Sequence, residues 1–99
     1  MSQPPKTKMP ELIGEIFSIA RIQKLHHLED LFYYPTTDVC EAMLRDLTNR
    51  ETTYKIKIEP KNEQNATAPL LIESDVAFIR QLAQEIENKY PQYSLTMRE

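Results

Sequence analysis

Only one of the chain's 99 residues is glycine, Gly14. A loop that cradles phosphate needs several glycines, because its backbone N–H groups must approach the ligand and its φ angles are often positive. Gly14 stands in Ile13-Gly14-Glu15, inside a helical pattern. No dinucleotide-binding turn, Walker loop, nucleophile elbow or calcium-binding loop can be assembled from it. Proline supplies the punctuation instead: Pro10, Pro35, Pro60, Pro69 and Pro91 each stand beside a change in hydrophobic periodicity. Turns built from proline and polar residues are stiff and need little positive φ. Such a chain suits a fixed surface better than mobile catalytic loops.

The length allows one domain, and the 40% apolar content is enough for one modest core. The single cysteine, Cys40, excludes an internal disulfide and any cysteine-pair zinc site. The opening Met1-Ser2-Gln3-Pro4-Pro5-Lys6 lacks the apolar stretch of a signal peptide, and Leu12 to Ile22 is too short to span a bilayer. These features predict a soluble protein of the reducing cytoplasm, with no membrane partner. The sequon Asn65-Ala66-Thr67 would then never meet a glycosylation machinery.

Residues 1–9 read as a flexible tail and residues 10–99 as a single α+β domain. Leu12, Ile13, Ile16, Phe17, Ile19 and Ala20 recur at helical spacing, and the apolar face continues through Leu25, Leu28 and Leu31. One helix over residues 11–34 would be about 36 Å long at 1.5 Å per residue. The expectation is a break near Lys24–His27, or a long helix packed on another chain. Pro35-Thr36-Thr37-Asp38 reads as a stop followed by a helix cap, and Val39, Met43, Leu44 and Leu47 as the stripe of a second helix.

The period then changes to two. Tyr54, Ile56 and Ile58 alternate with Lys55, Lys57 and Glu59 and predict a strand ended by Pro60. Residues 61–69 read as a loop, Leu70-Leu71-Ile72 as a second strand and Ser74-Asp75 as the cap of a last helix. That helix would bury Val76, Ile79, Leu82, Ala83, Ile86 and Tyr90. Tyr93, Leu95 and Met97 suggest a third strand. The predicted order is helix-helix-strand-strand-helix-strand around a two- to three-stranded sheet. The two central strands would form a hairpin, and the last two would run parallel across a helical crossover.

Four groups of residues could carry chemistry. His26 and His27 stand with Glu29 and Asp30 in the one cluster of metal-ligand types, but adjacent histidines on a helix point about 100° apart, so a third ligand must come from elsewhere. Read as a solvated face beside a helix break, the cluster needs no metal. Cys40 would be a nucleophile only beside a base, and Asp38 and Glu41 oppose thiolate formation; otherwise it is a small core residue. Paired carboxylates at Glu29-Asp30 and at Glu85 and Glu87 read as surface charge. Phe32-Tyr33-Tyr34 is the more suggestive run, because three consecutive aromatics cannot all face one core.

With His27–Leu31 as a first helix, Val39–Arg45 as a second, and Tyr54–Glu59 and Leu70–Ile72 as wing strands, the element order resembles a winged helix-turn-helix domain. The resemblance implies a DNA-binding transcriptional regulator that contacts nucleic acid through Arg45, Arg50, Lys55, Lys57 and Lys61. Charge weighs against it: residues 28–47 hold one base, Arg45, and five acids, Glu29, Asp30, Asp38, Glu41 and Asp46. A phosphate reader needs a basic footprint there.

The leading expectation is therefore a small, non-catalytic protein-interaction module, without cofactor or metal, acting as an adaptor, regulator or small subunit. Leu12, Ile16, Phe17, Ile19, Phe32, Tyr33 and Tyr34 are its candidate contacts, and a homodimer is one form it would take. DNA binding ranks second. An enzyme or metal-binding protein built on His26, His27 or Cys40 ranks third.

Overall fold

The computed structural model describes residues 8–22, 26–48, 52–65 and 71–98, with the side chains of His26 and His27 outside the described set. Helix α1 (Met9–Ile22) leads into strands β1 (His26–Tyr34), β2 (Val39–Asp46) and β3 (Thr53–Pro60). Helix α2 (Ala77–Lys89) and strand β4 (Tyr93–Arg98) follow. The strands form one antiparallel sheet in the order β1-β2-β3-β4. Both helices lie on one face, α1 against β1, β2 and α2, and α2 against β4. The result is a two-layer α+β domain.

Helix α1 follows its periodicity. Met9, Leu12, Ile16 and Ile19 share one stripe and are buried. Pro10 sits in the first turn, where its missing N–H leaves no bond unmade. Met9, assigned from sequence to the tail, belongs to the helix and to the core, while residues 1–7 lie outside the described residues. Helix α2 buries Phe78, Ile79, Leu82, Ala83 and Ile86. Ser74 does not cap it in the expected way: its Oγ accepts from the N–H of Val76 at 3.2 Å, and Val76 holds the N-cap position without a side-chain cap bond.

Between residues 26 and 46 the expected helices are strands. In β1 the register slips between Leu28 and Asp30, which leaves Glu29 as an extra residue, a β-bulge. The bulge lets Leu28 and Leu31, three apart, lie on the same face, and so imitates a helical period. In β2 the stripe Val39-Met43 repeats every four residues, a spacing shared by one face of a helix and one face of a strand. The buried stripe is instead Cys40, Ala42 and Leu44. Aromatic and β-branched residues favour the pleated form, and β3 offers β2 a template, pairing Ala42 with Ile56 and Leu44 with Tyr54.

Residues Pro35–Asp38 are thus a hairpin turn rather than a helix start. Asp38 takes a left-handed φ of 56°, a conformation that Asn and Asp tolerate better than most residues. Its carboxylate accepts hydrogen bonds from the Tyr33 hydroxyl at 2.8 Å and the Tyr93 hydroxyl at 2.6 Å. One side chain therefore ties the β1–β2 turn to β4, across the width of the sheet.

Leu71 and Ile72 lie in a turn packed against the core, and Leu70 is outside the described residues. The partners of β3 are β2 and β4. Strand β4 runs antiparallel because the excursion after Pro60 returns to the end it left: Pro60 is opposite Tyr93, and the Lys61 N–H donates to the Gln92 carbonyl at 2.9 Å. With Val39–Arg45 in a strand, the expected recognition helix and the winged-helix arrangement built on it are not formed.

Candidate binding surface on the uncovered sheet face

Strand alternation sends one set of side chains to the helices and the other away from them. The inner set, with Cys40, Leu44, Ile56, Ile58 and Leu95, joins the core. No described helix packs over the outer set. The strand registers arrange that set in rows across the sheet. Asp30, Met43, Lys55 and Arg98 form one row. Phe32, Glu41, Lys57 and Thr96 form the next, and Tyr34, Val39 and Glu59 lie beyond it, while Ser94, opposite Glu59, is only 5% exposed.

Two features of these rows stand out. Phe32 and Tyr34 are 56% and 46% exposed, large apolar areas beside the half-buried Val39 and Met43. The charge is also divided. Asp30 and Glu41 lie on the β1–β2 half, and Lys55, Lys57 and Arg98 on the β3–β4 half. Glu59 is the one acid of the basic half and pairs with Lys57 at 3.6 Å. Lys55 and Arg98 stand directly opposite each other, a like-charge juxtaposition that costs stability in an isolated sheet. A shallow depression of about 590 Å³ runs beside Tyr34, Val39, Lys57 and Lys61, and a second of about 650 Å³ runs along Lys55, Lys57, Thr96 and Arg98.

The expected contact residues divide accordingly. Phe32 and Tyr34 lie on the uncovered face. Tyr33 points inward to Asp38. Leu12, Ile16 and Ile19 are fully buried in the protein's own core and present nothing to a partner. Phe17 is 53% exposed on α1, on the opposite side of the domain, as is Ile22 at 62%. Of the basic residues, Lys55 and Lys57 share the uncovered face and Lys61 adjoins it, while Arg50 lies outside the described residues. Arg45 is bound to Glu29, whose carboxylate holds the guanidinium proton still more firmly than usual. Met43, expected to be buried in a helix, and Arg98 are not among the contact residues read from the sequence. Arg98 joins Lys55 only through the β3–β4 register, which no local pattern reveals.

Of the catalytic candidates, Cys40 is poorly placed, and the side chains of His26 and His27 lie outside the described residues. Cys40 is 1% exposed, and burial, reinforced by the charge of Glu41, pushes its thiol up to about 11. A protonated, inaccessible thiol is not a nucleophile. Among the described residues no three His, Cys, Asp or Glu side chains converge to hold a metal ion. No described helix is long and apolar enough to cross a membrane. Compared with known proteins, the chain matches no family model, and no curated protein or solved structure matches it significantly.

Proposed function

We propose that the protein is a small, non-catalytic, cytoplasmic protein-binding module, an adaptor, regulator or small subunit, and that it binds through the uncovered face of its sheet. The observation that carries this reading is the exposure of Phe32 and Tyr34 on a face without covering helices. Aromatic residues combine large contact area with few rotatable bonds and recur at the energetic centres of interfaces. Met43 and Val39 extend the apolar area, and the charged rows around them supply a polar rim.

A second reading has its own support. Aromatics and lysines on a four-stranded antiparallel sheet also suit stacking of single-stranded nucleic acid bases. It ranks lower because Asp30, Glu41 and Glu59 share that face and offset the charge of Lys55, Lys57 and Arg98.

Affinity capture with three baits tests the proposal: the wild-type chain, Phe32→Ser with Tyr34→Ser, and Phe17→Ser with Ile22→Ser as a control on α1. The expected result is a defined partner, whether another protein or the chain itself, held by the wild type and the α1 control and lost by the sheet variant. Partners lost only by the α1 variant would move the interface to the helices. Salt-dependent binding of single-stranded nucleic acid, lost with Lys55→Glu, would favour the second reading.

A further inference from the structure

The division of charge across the uncovered face makes that face complementary to itself, and we infer that its occupant is a second copy of this chain. The inference rests on the reading of the face as a binding surface. Consider two sheets packed face to face about a two-fold axis that runs parallel to the strands, between β2 and β3. The rotation exchanges the two halves of the sheet and keeps each row in its place along the strand. The β1–β2 half of one copy then lies over the β3–β4 half of the other.

Each row meets the same row reversed. Asp30 lies over Arg98 of the second copy, Met43 over its Lys55, and Glu41 over its Lys57. Phe32 lies over Thr96. Asp30 and Glu41 thus each reach a base, and the Lys55–Arg98 pair, unfavourable within one sheet, gains a carboxylate above it. Aligned sheet packing carries a rotation of about 30° between the strand directions, which displaces contacts at the sheet edges by a few ångströms, within reach of long side chains. The alternative axis, perpendicular to the strands, sets each strand over its own copy with the rows reversed: Glu41 then lies over Glu41 and Lys57 over Lys57, and only Lys55 over Glu59 joins acid to base. Charge therefore selects one of the two simple two-fold arrangements. The contact is isologous and closes at two copies.

The test is a charge exchange followed by sedimentation equilibrium from micromolar to millimolar concentrations at low and high salt. The wild type is expected to dimerise, more weakly at high salt. Asp30→Lys with Glu41→Lys, and separately Lys57→Glu with Arg98→Glu, each set like charges together across the axis. Each is expected to weaken self-association on the order of tenfold or more. An equimolar mixture of the two variants restores every acid–base contact and is expected to form the mixed dimer. The substituted positions are exposed, and far-ultraviolet circular dichroism confirms that each variant folds. A wild type that stays monomeric would overturn the inference. So would a dimer indifferent to both reversals, or variants that do not recombine. A monomer that still captured another protein through Phe32 and Tyr34 would remove the second copy as occupant and keep the binding face; loss of both would remove the face as well.

Discussion

Replacing Asp38 with alanine removes the one side chain that joins the β1–β2 turn to β4. Its carboxylate accepts from Tyr33 at 2.8 Å and from Tyr93 at 2.6 Å. Hydrogen bonds to a charged group contribute about 1.5–3 kcal/mol each. The Tyr33 hydroxyl is part-buried and can turn to water, so its share falls at the low end. Tyr93 is 3% exposed, and its hydroxyl would lose a buried partner. Alanine also fits the left-handed φ of 56° less well than aspartate, at roughly 1 kcal/mol. The combined loss is about 4–5.5 kcal/mol, which for a domain of this size lowers Tm by roughly 16–44 °C. Asp38→Asn, which keeps the backbone preference and one acceptor oxygen, is expected to lose about 1–2 kcal/mol. Urea unfolding followed by circular dichroism and tyrosine fluorescence measures these values. A double-mutant cycle with Tyr93→Phe isolates the pair, with an expected coupling of about 1–2 kcal/mol. A loss below about 1 kcal/mol in Asp38→Ala, or a coupling near zero, would refute the role of Asp38 as a tie.

Gly14 lies exposed in α1 with open space where a Cβ would stand, so Gly14→Ala is expected to stabilise the protein by about 0.5–1 kcal/mol in the same urea titration. Leu44→Ala opens a cavity among the fully buried side chains and is expected to cost about 2–5 kcal/mol. Cys40 is an acid whose folded-state pKa is raised from 9.0 to about 11, so its contribution to stability is intact below pH 9 and fades from pH 9 to 11, by roughly 2–3 kcal/mol at most. Tyr90 shifts in the same direction by burial. The Cys40 share is therefore read as the difference in alkaline stability slope between wild type and Cys40→Ala. Below pH 9 the native thiol is expected to react with a disulfide reagent only as fast as the protein opens.

The parts of the fold legible in the sequence are those where one period dominates. The stripe Leu12-Ile16-Ile19 gave α1, Ile79-Leu82-Ile86 gave α2, and the alternation of Ile56 and Ile58 with lysines gave β3. Strands β1 and β2 were hidden for specific reasons. The bulge at Glu29 gave Leu28 and Leu31 a helix-like spacing, and the Val39-Met43 repeat fits a strand's outer face as well as a helix. The partner of β3 could not be read locally, because 32 residues separate Lys61 from Gln92 inclusive, and the pairing depends on where that excursion returns. The candidate surface was half visible. Three consecutive aromatics implied that some must face outward, and the sheet assigns Phe32 and Tyr34 to that side and Tyr33 to the core. Its charge division needed the register of all four strands.

Two-dimensional NMR across a concentration series probes the uncovered face residue by residue. If that face binds a second copy about the axis between β2 and β3, the signals of Asp30, Phe32, Met43 and Lys57 shift together with a single dissociation constant. Those of Phe17 and Ile22 on the helical side stay fixed. Filtered experiments on a mixed-label sample would then show contacts from the Met43 methyl to the side chain of the other copy's Lys55. Shifts confined to Phe17 and Ile22, or a spectrum unchanged with concentration, would contradict the assignment of the sheet face as the surface where this protein meets its second copy.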